Sequence, residues 1–238
     1  MVIGTHLLTS KLQIAVHKSQ FTVHRSQFTD HSSQMAQFIG IARHRLQTDG
    51  KGVTTLAAFH GCPLRCRYCL NPQCNRADSH TIELSPQELY DRVMIDQLYF
   101  LATGGGVTFG GGEPALHSKF ITEFRQLCGP EWNLTLESSL NVPKENVQKL
   151  LPVIDHYIID LKDTNDNIYQ RYTQTSNVQV KENLEWLVAQ GKADRIIVRL
   201  PHIPDFNTEE DIQRSKEYLE HIGVRSIDVF TYITDIKK

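Results

Sequence analysis

Residues 59–72 read Phe-His-Gly-Cys-Pro-Leu-Arg-Cys-Arg-Tyr-Cys-Leu-Asn-Pro, and the fold of the whole chain is best worked out from this stretch. It begins at the end of an apolar, β-branched run, Thr54–His60, that is typical of a buried strand. Three cysteines, Cys62, Cys66 and Cys69, lie on the loop that leaves this strand, at C-x3-C-x2-C spacing. Glycine and proline in the loop allow its backbone to wrap around a bound group.

The pattern of a short strand followed by a helix recurs along the chain, which indicates βαβ units and a parallel sheet. The predicted strands are Thr54–His60, Val107–Gly110, Asn133–Glu137, Tyr157–Leu161, Ile196–Leu200 and Ile227–Tyr232. The predicted helices are Pro86–Ala102, Ser118–Leu127, Lys144–Leu151, Val180–Gln190 and Thr208–His221. A complete eight-unit barrel needs about 250 residues. We therefore expect an α/β fold with an open, partial (β/α)6 barrel of parallel strands; a doubly wound flat sheet is the alternative.

The composition excludes several classes of function. Of the 238 residues, 40% are hydrophobic, and the formal net charge is −2. Without an excess of positive charge the chain has no bulk field to attract nucleic acid or an anionic membrane. No apolar run approaches the roughly 20 residues that span a bilayer. We expect neither nucleic-acid nor membrane partners and, because the N-terminus lacks a continuous apolar signal, a cytoplasmic location.

The first 34 residues differ from the rest of the chain. His17–Val23 is nearly repeated as His24–Asp30, in a segment rich in Ser, Gln, His and Thr. The repeat is seven residues long, but its apolar residues are not spaced as in a coiled-coil seam. We expect residues 1–34 to be a disordered, low-complexity extension and residues 35–238 to form one folded domain, with Met35 as the natural start. A transit peptide is the alternative interpretation of the extension.

The clustered thiols indicate a metal site, since four of the five cysteines fall within thirteen positions and a disulfide scaffold would spread them. Three thiolates can each bind one iron of a 4Fe–4S cube, which leaves the fourth iron open to a substrate. Two alternatives use a fourth ligand: a structural zinc site with Cys74 or His60, and a closed electron-transfer cluster with Cys74. Cys128 lies on an apolar helical face, and we expect it in the core.

A second signal, Gly104–Pro114, places a glycine cluster on each side of a predicted strand. A dinucleotide-binding loop requires a strand, a glycine turn and a helix in that order, which this stretch lacks. We interpret the second cluster as an edge where backbone approaches a ligand, with Glu113 available to an ammonium group. Glu137, Asp160 and Arg199 also lie at or near strand ends. Because the carboxyl ends of parallel strands share one rim, these groups are expected to meet there.

These stretches together resemble the radical S-adenosylmethionine (radical SAM) superfamily and, within it, the glycyl-radical-enzyme activating enzymes. The resemblance runs from about Ile39 to the end of the chain. The stretches that carry it are the cysteine loop with Tyr68 and Asn71-Pro72, Thr48–Val53, Gly104–Thr108, Gly111-Gly112-Glu113 and Asp160-Leu161-Lys162.

The resemblance implies two cofactors, a 4Fe–4S cluster on Cys62, Cys66 and Cys69, and S-adenosylmethionine on the open iron. It places the adenine near the backbone of Tyr68 and Leu70, and the methionine end near Gly112 and Glu113. The residues assigned to S-adenosylmethionine on this basis are Tyr68, Leu70, Gly111, Gly112, Glu113, Glu137, Asp160, Leu161 and Lys162. No catalytic side chain is expected beyond the cluster and its cosubstrate.

The implied activity is reductive cleavage of S-adenosylmethionine to a 5′-deoxyadenosyl radical, which takes a hydrogen from a glycine of a partner glycyl radical enzyme. A low-potential electron donor, such as a flavodoxin or ferredoxin, would supply the electron. One alternative is a radical SAM enzyme that acts on a small molecule or peptide. The other, from a different class, is a non-catalytic zinc or electron-transfer protein.

The sequence departs from the family pattern at several positions. Leu70 stands where the family usually has His, and Gly110 where it often has Ser. Glu137-Ser138-Ser139-Leu140 replaces a frequent Asp-Thr-Asn-Gly. Thr231-Tyr232-Ile233 aligns with a Pro-Tyr-His segment of some members, so the contact given by that His is missing. The Leu70 change and the lost His leave room for the small-molecule alternative.

Overall fold

The computed structural model describes residues 34–46 and 49–232. The strands in this part of the chain are β1 (Ala36–Leu46), β2 (Val53–Phe59), β3 (Ile82–Leu84), β4 (Gly106–Gly111), β5 (Asn133–Ser138), β6 (His156–Asp160), β7 (Ile196–His202) and β8 (Ser226–Thr231). The helices are α1 (Pro86–Val93), α2 (Gln97–Thr103), α3 (Ser118–Cys128), α4 (Lys144–Leu150), α5 (Asp166–Thr173), α6 (Val178–Leu187) and α7 (Glu209–His221).

All of these strands form one sheet, in the order β3-β1-β2-β4-β5-β6-β7-β8. The strands β2 and β4 to β8 run parallel to one another, and they are the six strands that the sequence predicts. Their order follows the chain without reversal, whereas a doubly wound sheet reverses at a switch point. Within the described ranges neither β3 nor β8 pairs with a further strand, so the barrel stays open. The prediction of an open partial barrel is confirmed.

Two strands were not predicted. β1 lies antiparallel to both β2 and β3 and extends the sheet beyond its parallel part. Its register shifts twice along β2, and His44 adopts a φ of 56°, as at a β-bulge. The bulge brings the neighbouring side chains Arg43 and His44 onto the same buried carboxylate, that of Asp96.

The predicted helix Pro86–Ala102 is two helices, which corrects the sequence interpretation. A 3₁₀ turn, Met94–Asp96, separates α1 from α2. The side chain of Asp96 is fully buried and accepts hydrogen bonds from Arg43 Nε at 2.8 Å and Thr55 Oγ1 at 2.9 Å. The tighter turn directs Asp96 at the sheet, where these donors offset the cost of burying its charge.

The hydrophobic core lies between the sheet and the helices that follow its strands. An aromatic cluster occupies its centre, with Phe109 packed edge-on to Phe124 at 5.4 Å between ring centroids and Phe100 to Trp132 at 5.0 Å. Cys128 belongs to this core, as predicted. α5 was not predicted; Asn165 caps its N-terminus, and Tyr169 anchors it to the core.

The prediction for residues 1–34 falls outside the described ranges, apart from Gln34. In those ranges no helix combines the length and the apolar character that crossing a membrane requires.

We predict that Asp96→Asn lowers the free energy of unfolding by about 1–3 kcal/mol, because it leaves buried donors poorly matched. Hydrogen bonds from Arg43 and Thr55 hold the pKa of Asp96 below its ordinary value in the folded chain. The stabilisation is therefore present above the unfolded pKa of about 3.9 and is lost as the pH falls through the folded value.

Thermal unfolding of both proteins between pH 7 and pH 3 measures this difference. Asp91→Asn, a change on the exposed face of α1, is the control. A destabilisation by Asp96→Asn that stays constant over this pH range would contradict the assignment.

Candidate active site

A cavity of about 380 Å³ lies at the carboxyl ends of the parallel strands. This volume is within the range of about 300–1,000 Å³ that is common for small-molecule sites. The loops after β2, β4 and β5 and the ends of β6 and β7 contribute to it. Its lining residues are Arg45, Asp49, Leu56, Cys62, Leu64, Cys66, Cys69, Leu70, Asn71, Gly111, Gly112, Glu113, Glu137, Ser138, Ser139, Asp160, Lys162, Arg199 and Tyr232.

A larger cavity, of about 520 Å³, lies at the opposite, amino ends of the strands, where Lys51, His156 and Arg195 border it. None of the described residues that line that cavity is a cysteine. Because ligands of parallel α/β folds bind at the carboxyl ends of the strands, we assign the chemistry to the smaller cavity.

The cysteine loop is held in place by side-chain and backbone hydrogen bonds. The amide of Asn75 accepts from Cys62 N at 3.0 Å and donates to Leu64 O at 2.9 Å. Gly61 N donates to Cys74 O at 2.7 Å. These bonds close the loop on itself, so the three thiols that border the cavity have fixed positions before any ligand binds.

Three cysteines border the same cavity, which is the number of thiolates that a cube with one open iron requires. Within the described part of the chain, no three His, Cys, Asp or Glu side chains converge in a way that could hold one metal ion. A tetrahedral zinc site requires such convergence, whereas a cube takes one thiolate at each of three separate irons.

Cys74 does not border the cavity. It is buried behind the loop, and its thiol donates to Cys69, which lowers the pKa of Cys69 to about 6. Burial raises the pKa of Cys62 to about 12 and that of Cys66 to about 11. Three thiols therefore face the cavity and the fourth stands behind them, as an open-iron cluster requires.

The glycines of the second motif are explained by the backbone that surrounds them. A Cβ atom on Gly112 would lie 2.2 Å from the carbonyl oxygen of Gly61, in the cysteine loop. Gly111 has a φ of 88°, and a Cβ there would meet Ala58 at 2.7 Å. The turn after β4 can thus pack directly against the loop after β2, with Gly112 N donating to Phe59 O at 2.8 Å. Both glycines also border the cavity.

The carboxylate of Glu113 is fully enclosed. One oxygen accepts from Ser138 Oγ at 2.6 Å and Ala115 N at 3.1 Å. The other accepts from Ser139 N at 2.9 Å and Ser139 Oγ at 2.6 Å. Burial raises the pKa of Glu113, while these four bonds oppose the rise. A carboxylate offers about four acceptor positions, so a contact with a ligand's ammonium group would have to replace or share one of these bonds.

Three ion pairs surround the cavity: Arg45 with Asp49, Arg199 with Glu137, and Lys162 with Asp160. Lys162 Nζ lies 3.3 Å from Asp160 and donates to the Tyr232 hydroxyl at 3.3 Å. Burial alone would lower the pKa of Lys162, but Asp160 and Tyr232 outweigh it and raise the pKa well above its ordinary value. Asp160 and Tyr232 therefore favour the charged form of Lys162, which can attract a carboxylate.

Two of the family departures compensate for one another. A Cβ on Gly110 would lie 3.1 Å from Glu137 Oε2. The missing side chain at position 110 makes room for the longer carboxylate at position 137, which can then reach Arg199. Burial and the charge of Asp160 raise the pKa of Glu137, and Arg199 opposes them.

Of the residues assigned to S-adenosylmethionine, the cavity brings together all but two. Tyr68 packs against Phe206 and Tyr172 instead, with its hydroxyl 3.5 Å from Asp205. The side chain of Leu161 is fully buried in the core. Neither residue borders the cavity, so their assignment to S-adenosylmethionine stays a prediction.

Sequence reasoning did not assign Arg45, Asp49, Ser138 and Ser139 to the site. The signal for Asp49 was its position in the lead-in to β2, and that for the serines was their position at the end of β5. Arg45 had no signal of its own, because β1 was not predicted.

The family model of the Radical SAM superfamily matches residues 57–219 of this chain. The chain belongs to the radical SAM superfamily. It is 29% identical to the (2S)-3-sulfopropanediol dehydratase activating enzyme of Klebsiella oxytoca, over 78% of each chain. It is 30% identical to the pyruvate formate-lyase-activating enzyme of Listeria monocytogenes, over 78% of this chain and 77% of that one. Within the superfamily it therefore belongs with the activating enzymes of glycyl radical enzymes.

Solved structures show the same fold. Streptococcus suis SuiB bound to S-adenosylmethionine superimposes with a TM-score of 0.58, at 15% identity over 75% of this chain and 41% of that one. As a radical SAM enzyme the chain uses a 4Fe–4S cluster and S-adenosylmethionine, and the non-catalytic alternative is excluded.

We predict that Cys62→Ala, Cys66→Ala or Cys69→Ala abolishes cluster assembly, because an open iron requires three thiolates. Cys74→Ala should retain about four iron per chain after anaerobic reconstitution. Iron and sulfide analysis measures this directly. Loss of the cluster in Cys74→Ala would indicate a closed, four-cysteine site.

We also predict that Glu113→Gln destabilises the metal-free chain by about 1–3 kcal/mol, because an amide NH₂ must face backbone and hydroxyl donors. Thermal unfolding measures the loss, and Glu131→Gln, an exposed change, is the control. Ser139→Ala should act in the same direction. An unchanged melting temperature for Glu113→Gln would rule out the anchoring role.

Proposed function

We propose that this enzyme installs a radical on a glycine of a partner glycyl radical enzyme by removing one α-hydrogen. The observation that carries the proposal is the position of the cavity, at the carboxyl ends of the parallel strands of a sheet whose outer strands, β3 and β8, do not pair within the described residues. A lateral opening of this kind can admit a loop of another protein. The names of the relatives, which are activating enzymes of a dehydratase and of pyruvate formate-lyase, support the same partner class.

Cys62, Cys66 and Cys69 would hold the 4Fe–4S cluster at the wall of the cavity. When bound and reduced, the cluster supplies one electron that cleaves S-adenosylmethionine to methionine and a 5′-deoxyadenosyl radical. The three thiols fix its position, and none of the other described cysteines borders the cavity to occupy its fourth iron.

The remaining residues of the cavity would bind and orient S-adenosylmethionine. Gly111 and Gly112 offer backbone polar groups beside the cysteine loop, and Glu113 fixes their turn. Lys162, a buried cation of the lining, would attract a carboxylate, while Asp160 can accept from ribose hydroxyls. Arg199 and Glu137 border the cavity as an ion pair. Because the pair holds both side chains in place, it would orient S-adenosylmethionine before the reaction.

A second candidate is a radical SAM enzyme for a small molecule or peptide. The observation that favours it is Leu70, which borders the cavity and is 68% exposed. An apolar side chain at this place could receive an apolar group of a substrate. The same exposed position would equally contact a loop of a partner protein, so the partner assay below separates the two.

We predict that the reconstituted, dithionite-reduced enzyme cleaves S-adenosylmethionine slowly alone and installs a stable organic radical on one glycyl radical enzyme of its source organism. Electron paramagnetic resonance should show a doublet-type signal. Cys66→Ala, and a partner whose candidate glycine is replaced by alanine, are the controls and should give none.

If no partner acquires the radical, while a small molecule or short peptide accelerates formation of 5′-deoxyadenosine, the second candidate replaces the first.

A further inference from the structure

The cysteine loop has two faces. Cys62, Cys66 and Cys69 border the cavity, whereas Arg65 and Arg67, on either side of Cys66, are exposed and do not border it. The outer face of the loop is therefore basic. Its two arginines are the immediate chain neighbours of Cys66, a predicted cluster ligand.

Backbone hydrogen bonds bring a third arginine to this face. Arg65 N donates to Thr173 O at 2.9 Å, and Arg67 N donates to Tyr172 O at 3.1 Å, so the loop runs along the end of α5. The adjacent residue of α5, Arg171, is exposed and donates to Phe206 O at 2.8 Å. We call Arg65, Arg67 and Arg171 the arginine patch.

The arginine patch is not neutralised by the chain. In the described part of the structure none of its three guanidinium groups forms an ion pair with a carboxylate. Asp205, which lies 3.5 Å from the Tyr68 hydroxyl, is the nearby acid that reduces the local charge. Of the nine other arginines in the described residues, six form ion pairs, namely Arg43, Arg45, Arg125, Arg199, Arg214 and Arg225, whereas Arg76, Arg92 and Arg195 do not. With a formal net charge of −2 for the whole chain, the arginine patch is a local exception.

Charge and position together point to one kind of partner. An exposed positive patch raises the rate of encounter with an acidic surface and orients it. A partner on the outer face leaves the cavity free, so S-adenosylmethionine and the glycine of the protein substrate can remain bound at the same time. The partner that must approach the cluster without entering the cavity is the protein that delivers the electron.

We propose that the arginine patch docks an acidic, one-electron carrier protein of the flavodoxin or ferredoxin class. This inference rests on the proposed function, since only a reductive reaction needs the donor. In the step that it serves, the carrier is oxidised by one electron and the cluster is reduced by one. No bond is formed or broken in that transfer.

The test is the rate at which reduced flavodoxin reduces the cluster of the reconstituted enzyme, followed by stopped-flow absorbance at low and high salt. Arg67→Glu should slow this rate about tenfold at low salt and weaken its dependence on salt. Arg67→Lys, which keeps the charge, should stay near the wild-type rate. Arg195→Glu, an exposed change at the amino ends of the strands, is the matched control and should leave the rate unchanged.

Reduction by dithionite provides the second arm. Arg67→Glu should accept electrons from dithionite as the wild type does, and its dithionite-driven radical yield on the partner should be unchanged.

An unchanged flavodoxin rate in Arg67→Glu, or an equal loss in Arg195→Glu, would overturn the proposal. Loss of the dithionite-driven yield in Arg67→Glu alone would assign the arginine patch to the protein substrate instead. A third outcome is that neither the wild type nor any variant produces the dithionite-driven radical on the partner, while the rate of reduction by flavodoxin still depends on Arg67. This result would contradict the proposed function and support the docking proposal.

Discussion

Glu113 connects the ends of three neighbouring strands, β2, β4 and β5, through its backbone and its buried carboxylate. The geometry of the site depends on these contacts. Its backbone N–H donates to Gly61 O at 2.7 Å, in the loop after β2, while its side chain accepts from Ser138 and Ser139 at the end of β5. Because Glu113 itself follows β4, a single residue fixes the relative positions of the cysteine loop, the glycine turn and the β5 end. A charge buried this deeply is stable only when its acceptor positions are filled, which makes the arrangement rigid.

The charged lining of the cavity follows from the same constraint. Glu137 and Arg199 can pair because β5 and β7 lie on either side of β6, and their side chains meet above it. Lys162 keeps its charge in a buried place only through Asp160 and Tyr232. Each of these pairs is neutral, and Glu113 gives the cavity lining one carboxylate more than it has cations, four against three, which suits a ligand with a positive sulfonium.

The sequence predicts the parallel part of the fold well, because its strands are short apolar runs that alternate with helical patterns. It fails where local pattern and tertiary contacts disagree. The bulge in β1 at His44 breaks the alternation that would identify the strand. β3 has three residues and exists only by pairing with β1. The continuous pattern of Pro86–Ala102 hides a turn that a buried carboxylate, Asp96, imposes.

The functional site, like the fold, could be predicted from the sequence only in part. That Cys62, Cys66 and Cys69 border one cavity could be predicted from their spacing after a strand, and their role as cluster ligands stays a prediction. The environment of Glu113 could not, because its four hydrogen bonds come from residues up to 26 positions away, such as Ser139. Nor could the outward orientation of Tyr68, which depends on Phe206 in a loop after β7.

The central claim is that the cluster has three thiolate ligands and one open iron that faces the cavity. Mössbauer spectra of the ⁵⁷Fe-reconstituted enzyme, recorded with and without S-adenosylmethionine, test it most directly. We expect one iron in about four to change its isomer shift when S-adenosylmethionine is added, because that iron alone gains ligands. Spectra in which all four irons remain unchanged would contradict it.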